Sequence, residues 1–555
     1  MKKIQNHYSI GYGDAAEQQI HVEIRFENLQ QAETYIQLPS WRPGRYELGN
    51  FAKNISQFRC EDEVGNPVPF EKLTIDSWLI KTDKISTLTI FYQYYANELN
   101  AGSSYLDEEQ LYVNPVNCCA YLVGREKEPL TFNIRVPDNY QIATGIEMEI
   151  SKAKYWLPDF DTLADQPFIA SSSLQLVNYG VADYDFYIWF QGKVALDRER
   201  LVRDFSRFSE SQIELFGSMP VKKFHFLVQA CSFPYYHGVE HQHSTVLALG
   251  PGHQLFTSFY DELLGVSSHE LFHVWNVKFI RPQSMFPYDF TKENYSRLGY
   301  IYEGLTTWYG DIMLYRSGVF SREQYLKTIN DYLRRHYMNY GRFNYSVADS
   351  SFDTWLDGYV PGVPHRKVSI YTEGCLIAFM LDAIIRDQTQ HAKSLDDLMR
   401  CLYEKAMNGE AYDESFILET LYSICDYDFD SFFKDYVYGT EDFTAQLAHA
   451  ASVYQFQFLE TKPLSDFEHR HGLILNESNG LFTIQQTAPG SPAVKAGLLV
   501  GDQIIAVNQF RLNRKWLNNK LDQEQIEVTV FSKDILKTVL LQSIESSYYV
   551  TMQLA

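Results

Sequence analysis

Cysteine is scarce in this chain: there are seven in 555 residues, scattered apart from the adjacent Cys118 and Cys119, and nowhere spaced as a CxxC pair. An odd, dispersed set of this kind disfavours both a disulfide framework and a thiolate metal site. Positive charge is also in short supply, with 48 lysines and arginines against 70 aspartates and glutamates, for a formal net charge of -22. Such a surface repels polyphosphate and anionic membranes and carries no basic stripe, so nucleic acid is not an expected partner. Long apolar runs are missing too. No stretch approaches the roughly 18 residues needed to span a bilayer. The opening MKKIQNHYSI has charge without an apolar stretch behind it, so neither a membrane span nor a secretory leader is read there. The expectation is a soluble, cytoplasmic protein.

What is present is apolar material, 45% of all residues, in a chain longer than one hydrophobic core usually serves. Roughly two to four domains are expected. Up to about residue 180 the apolar pattern has period two, as in Ile20-His21-Val22-Glu23-Ile24-Arg25-Phe26 and in Leu130-Thr131-Phe132-Asn133-Ile134-Arg135-Val136, broken by turns such as Arg42-Pro43-Gly44. That alternation predicts a β-sandwich-like domain. Between about 195 and 450 the period becomes three to four, and 371–387 (YTEGCLIAFMLDAIIRD) and 415–436 (SFILETLYSICDYDFDSFFKDY) suit long helices. Phe224-His225-Phe226-Leu227-Val228 reads as a strand, so this mainly helical zone opens with a small sheet and the chain is multidomain α+β. The last hundred residues return to short strands, and NGLFTIQQTAPGSPAVKAGLLVGDQIIAVN (479–508) resembles a bacterial PDZ domain. Boundaries are expected near 180 and 455, giving units 1–180, 181–455 and 456–555; no repeats or low-complexity tracts interrupt them.

Residues 267–276, SSHELFHVWN, carry the chemistry. Residues four apart lie one above the other on a helix, so His269 and His273 can aim imidazole nitrogens at one point about 2.0–2.1 Å away. Glu270 sits beside them, and a carboxylate there can take a proton from a metal-bound water whose pKa zinc lowers to roughly 7. The competing reading is that Ser267-x-x-Glu270 is a helix capping box and the histidines are bystanders. A third ligand could come from Glu293 or Glu303. Around Glu303 the bulky residues Leu298, Ile301, Leu305, Trp308 and Ile312 form one helical stripe, and Gly299, Glu303, Thr306 and Gly310 form another. A carboxylate flanked by small residues leaves space for a metal and a second helix, whereas Glu293 lies in a polar, turn-like stretch. The alternative leaves Glu303 as a solvated helix-face group.

HELFHVWNVKFIRP, then YEGLTTWYGD, then GSPAVKAGL, preceded by LPSWRPGRYELGNFAKNI at 38–55, resemble the glycyl aminopeptidase family of PDZ-containing zinc metallopeptidases, gluzincins distantly related to aminopeptidase N. The likeness runs over nearly the whole chain. It implies a β-rich N-terminal domain, a thermolysin-like, mainly helical catalytic domain and a C-terminal PDZ domain. It also implies one zinc per chain on His269, His273 and Glu303, with Glu270 as general base and later proton donor to the leaving amine. Gly238-Val239-Glu240-His241 looks like the family's substrate segment, in which an edge strand runs along the cleft and Glu240 grips the free α-ammonium. Without the family, Glu240 would read as an exposed turn carboxylate. Tyr371-Thr372-Glu373-Gly374 resembles a Tyr-x-Lys-Gly segment whose tyrosine donates to the oxyanion, a contact typically worth about 10² to 10³ in turnover; otherwise Tyr371 simply packs at a helix start. Two departures stand out: His237 where relatives carry a small residue, and Glu373 in place of lysine. In the PDZ-like stretch, Gly480, Leu481 and Phe482 are expected to form the loop that captures a peptide's C-terminal carboxylate, unless the module only packs or self-associates. The resemblance thus implies an aminopeptidase removing small residues, glycine or alanine, from peptides. An endopeptidase with the same metal site and a peptide-binding scaffold with an inert metal domain are the alternatives.

Overall fold

The computed structural model describes residues 4–358, 360, 362–461, 465–517, 524–542 and 547–555. The alternating N-terminal segments become strands. Gln19–Glu27 buries Ile20, Val22, Ile24 and Phe26 on one face, as period-two patterning demands. It pairs antiparallel with Asn6–Tyr12 on one side and Thr87–Tyr95 on the other, at the heart of a seven-stranded sheet. Two four-stranded sheets complete this unit around a shared core that includes Tyr8, Ile10, Trp78, Phe132 and Phe168. The chain after strand Glu33–Gln37 leaves regular structure yet stays buried at Leu38, Trp41, Arg42 and Tyr46. That irregular stretch crosses to the middle unit.

The middle unit opens with a five-stranded sheet in the order Gln175–Val181, Tyr184–Gln191, Lys223–Ala230, Ser244–Gly250, Tyr235–Glu240. Its first strand begins before residue 180, so the boundary expected there cuts through a strand. Phe224–Val228 lies within the central strand. Tyr235–Glu240 is the edge strand, paired only with Ser244–Gly250 among the described residues. Helix Arg198–Phe216, capped by Asp197, buries Leu201, Phe205 and Phe208 into the same large core as Phe186, Ile188 and Phe190 of the sheet. Helix Ile370–Gln388 is apolar nearly all round and buried from Thr372 to Ile385, which makes it the axis of the helical half. It crosses the helix bearing Glu303 so closely that a Cβ on Gly304 would collide with the Gly374 backbone. The helix expected over 415–436 is broken: Glu414–Ile424 stops, and Asp428 caps a new start at Phe429, accepting from Ser431 N.

The C-terminal unit is a sheet of Leu473–Ser478, Leu481–Thr487, Gln503–Val507, Gln525–Ser532 and Ile535–Gln542. It has its own core, including Leu473, Phe482, Ile484, Ile504 and Val528. The final strand Thr551–Leu554 returns to pair with Phe458–Thr461, and Asn330 of helix Arg322–Met338 holds both backbone groups of Leu554 at 2.7 and 2.9 Å. Residues 458–461 and 551–554 therefore belong with the helical core, although they lie beyond the boundary expected at 455. No helix among the described residues is long and apolar enough to cross a membrane.

Candidate metal centre

Helix Tyr260–Phe272 begins at Tyr260, with Asp261 and Glu262 in its first turn where the helix dipole favours negative charge. Ser267 is consequently fully buried in mid-helix, and the capping-box reading of Ser267-x-x-Glu270 is not realised. His273 closes the helix in αR conformation (φ -61°, ψ -18°), so the four-residue spacing keeps both imidazoles on one face. Their Nε2 atoms lie 3.0 Å apart. Glu303 comes from a π-helical segment, Tyr300–Leu305, that runs on into helix Thr306–Arg316; such segments often mark functional sites. Its Oε2 stands 3.4 Å from His273 Nε2 and 3.8 Å from His269 Nε2, and the group is buried at 3% exposure, not a solvated helix-face carboxylate. The small-residue stripe admits this approach: Gly310 packs against the His269 backbone, and the Thr306 hydroxyl donates to Asn276 O at 3.1 Å. Glu293 lies outside the cluster in an irregular segment.

These donors fit a divalent cation. Tetrahedral ligands at 2.0–2.1 Å stand about 3.3 Å from one another, close to the three separations here. His273 Nδ1 donates to Asn276 O at 2.6 Å, which fixes its proton there and leaves the Nε2 lone pair facing the cluster. The electrostatics ask for positive charge. Burial opposes protonation of His273, yet Glu303, Glu240 and Glu270 outweigh it and push the imidazole up to about 10. Burial drives His269 well below the usual histidine range. Glu270 is pushed up to about 8 by burial, reinforced by Glu240 and Glu303 and opposed by His273. Carboxylates gathered in a buried pocket favour a positive charge among them.

The edge strand faces this cluster. A Cβ at Gly238 would strike Glu270 Oε1, so only glycine lets strand and carboxylate come this close. Glu240, at 4% exposure, is not an exposed turn group; its Oε1 has no hydrogen-bond partner among the described residues, and ligand atoms of Glu240, Glu270 and His273 all lie within 4.8 Å. The strand end is anchored from the N-terminal unit: Asp165 accepts from Lys278 Nζ and Gln242 N, each at 2.8 Å, and faces His241 Nδ1 at 3.1 Å. Burial works against Asp165 ionising, but Lys278 and His241 prevail and hold its carboxyl far below the usual range. His237 sits half-buried in the strand, pushed down to about 3 by burial with Arg42 and Arg45 adding to it, and so neutral.

Tyr371 is half-buried in the first turn of helix Ile370–Gln388 and lines a cleft of about 520 Å³. Arg335 and Lys367 share that cleft, as do Ile474, Gln485 and Gln486 of the C-terminal unit. Glu373, the charge reversal, is buried and bonded to His336 Nδ1 at 2.8 Å, inside the helical core. Gly480, Leu481 and Phe482 do not form a carboxylate-binding loop. Asn479 and Gly480, both at positive φ (53° and 76°), make a two-residue hairpin turn between Ser478 and Leu481; Phe482 is a core residue paired to strands on both sides.

The sequence reading gave no site role to Tyr46, yet its hydroxyl donates to Glu303 Oε1. Burial, then Glu303, raises this phenol well above its ordinary range, so it stays a donor. Gly44, φ 78°, abuts the Glu240 carboxylate. The available signal was a Trp/Pro/Gly/Tyr-rich stretch without alternation, set among alternating strands.

Fold and site together define a peptidase. Residues 7–172 match the family model of the peptidase M61 N-terminal domain, and 262–377, which include His269, Glu270, His273, Glu303 and Tyr371, match that of M61 glycyl aminopeptidase. The two models cover just over half of the chain, which belongs to the M61 glycyl aminopeptidase family. The crystal structure of an aminopeptidase N family protein from Idiomarina loihiensis is similar over 99% of this chain and 98% of its own, at 25% identity and TM-score 0.92. An M1 zinc metallopeptidase from Deinococcus radiodurans matches at 12% identity and TM-score 0.47 over 79% of this chain and 95% of its own, too distant to carry an argument. No curated protein sequence matches the chain.

Proposed function

We propose that this protein is a zinc aminopeptidase that removes small N-terminal residues, glycine or alanine, from short peptides, with one zinc held by His269, His273 and Glu303. The observation that carries the reading is the convergence of those ligand atoms beside Glu270 and the unpartnered oxygen of Glu240. Bound zinc supplies Lewis-acid chemistry, polarising the attacking water and the scissile carbonyl. Glu270 takes the proton of that water and returns it to the leaving amine. Glu240 pairs with the substrate α-ammonium, while the free side of the edge strand at Gly238 aligns the peptide backbone. Tyr371 donates its hydroxyl to the carbonyl oxygen as negative charge develops there.

The spacing supports an exopeptidase. Carboxylate oxygens of the proposed amine anchor and general base lie within 4.8 Å, which puts a bound α-ammonium beside the bond to be cleaved. The preference for small residues is supported by the family's description and by the Gly44 and Tyr46 wall against Glu240 and Glu303. The C-terminal unit is read as a PDZ-like module whose edge strand among the described residues, Leu473–Ser478, is where an added peptide strand would pair.

Purified protein supplied with zinc is expected to release product from glycine and alanine anilides, and Glu270→Gln to keep its metal while losing that release. Equal cleavage of free-amine and N-acetylated peptides would reassign Glu240 and favour an endopeptidase.

A further inference from the structure

Glu303 has two carboxylate oxygens with different neighbours. Oε2 faces both imidazoles, at 3.4 and 3.8 Å. Oε1 accepts from the Tyr46 hydroxyl, which arrives from the N-terminal unit, 257 residues away in sequence. The donor is clamped. Its ring stacks on Tyr302 at 5.8 Å and meets Trp355 edge-on at 6.1 Å. The segment carrying it is seated by Trp41 against Tyr288 at 5.5 Å and against Trp355 at 5.6 Å, with Ser40 N and Trp41 N both donating to Phe290 O at 2.8 and 3.2 Å. A buried tyrosine hydroxyl needs an acceptor, but nothing in packing alone requires that acceptor to be this carboxylate. The contrast with His273 is informative: its holder, Asn276, belongs to the same unit and lies three residues on.

We propose that Tyr46 is a positioning residue of the metal centre, holding Glu303 by Oε1 so that Oε2 is presented to the ion, and that tight zinc binding therefore requires the N-terminal unit docked on the catalytic unit. The inference rests on the zinc reading above. Partners that orient metal ligands typically contribute about 10- to 100-fold in metal affinity, and a carboxylate free to rotate on its χ angles presents its ligand oxygen only part of the time. The chain thereby ties metal loading to completed assembly of its two largest units, since an undocked catalytic unit would carry the three ligands without the clamp.

The test is zinc affinity of the full chain, read by competition with a chromophoric chelator after the metal has been stripped. Tyr46→Phe keeps the ring and its stacking on Tyr302, and is expected to bind zinc about 10- to 100-fold more weakly than wild type, with the thermal midpoint of the metal-free protein little changed. Trp41→Leu, which touches no ligand but seats the segment, is expected to weaken zinc in the same direction, and it keeps the idea testable should Tyr46→Phe fail to fold. If wild type takes up one zinc and both variants bind it as tightly, Tyr46 is a packing residue and the proposal falls while the zinc reading stands. If wild type itself takes up no zinc, the reading beneath it fails.

Discussion

Single atoms decide much of this site. Glu270 shares a buried cluster with Glu240 and His273, beside the proposed ligand set of His269, His273 and Glu303; as it is the proposed general base, its removal separates chemistry from metal binding. Glu270→Gln should retain zinc by elemental analysis and lose about 10² to 10⁴ in kcat, the range of a general base. Gly44 makes a different prediction. Its φ of 78° and its contact with Glu240 leave no space for a side chain, and Gly44→Ala must both strain the backbone, by about 1–3 kcal/mol, and displace Glu240, the proposed amine anchor. Its KM for free-amine substrates should rise severalfold with kcat less affected, and an unchanged KM would detach Glu240 from the amine. At this scale the sequence was readable where chemistry demands a fixed spacing: His269, Glu270 and His273 announce themselves on one helical turn. Tyr46 did not, because its partner is a carboxylate 257 residues away and no local periodicity encodes that pairing.

Elements were legible wherever one force dominated. Alternating apolar residues gave Gln19–Glu27, and an all-round apolar stretch gave Ile370–Gln388. The π-helical turn at Glu303 escaped, since the side-chain stripe of a π segment that short matches an ordinary helix. The break after Ile424 escaped because Asp428 reads as one more polar residue until it is seen to cap. Gly480, Leu481 and Phe482 were expected to form a ligand loop, although Asn-Gly at 479–480 between alternating apolar residues is a strong hairpin signal. The close crossing at Gly304 and Gly374 yields a further prediction: adding a methyl at Gly374 drives it into the Gly304 backbone and Tyr300 O. Gly374→Ala should lower stability by about 1–3 kcal/mol or more, as overpacking does, readable in urea unfolding, and shift Tyr371 with it.

Across the whole molecule, the units meet at buried charge. Lys278, with a side chain 1% exposed, is paired to Asp165 of the N-terminal unit. Breaking such a pair from one side leaves an uncompensated buried charge, so Asp165→Asn should cost about 3–5 kcal/mol. The pH dependence follows from sign. The folded-state pKa of Asp165 lies below its unfolded value of about 3.9, so its contribution is complete above that value and is lost as pH falls further towards the folded one. Wild-type stability should therefore drop on acidification below about pH 4, with Asp165→Asn showing a shallower drop over that interval; parallel curves would remove Asp165 from the account. This docking was invisible in sequence, because Asp165 and Lys278 carry no pattern linking them.

The proposed function rests on one ion held by His269, His273 and Glu303. Elemental analysis of protein purified without chelators is the direct test: the account predicts one zinc per chain, lost together with aminopeptidase activity on dialysis against a strong chelator and restored with it. Metal-free protein that hydrolyses glycine or alanine anilides at an undiminished rate would contradict it.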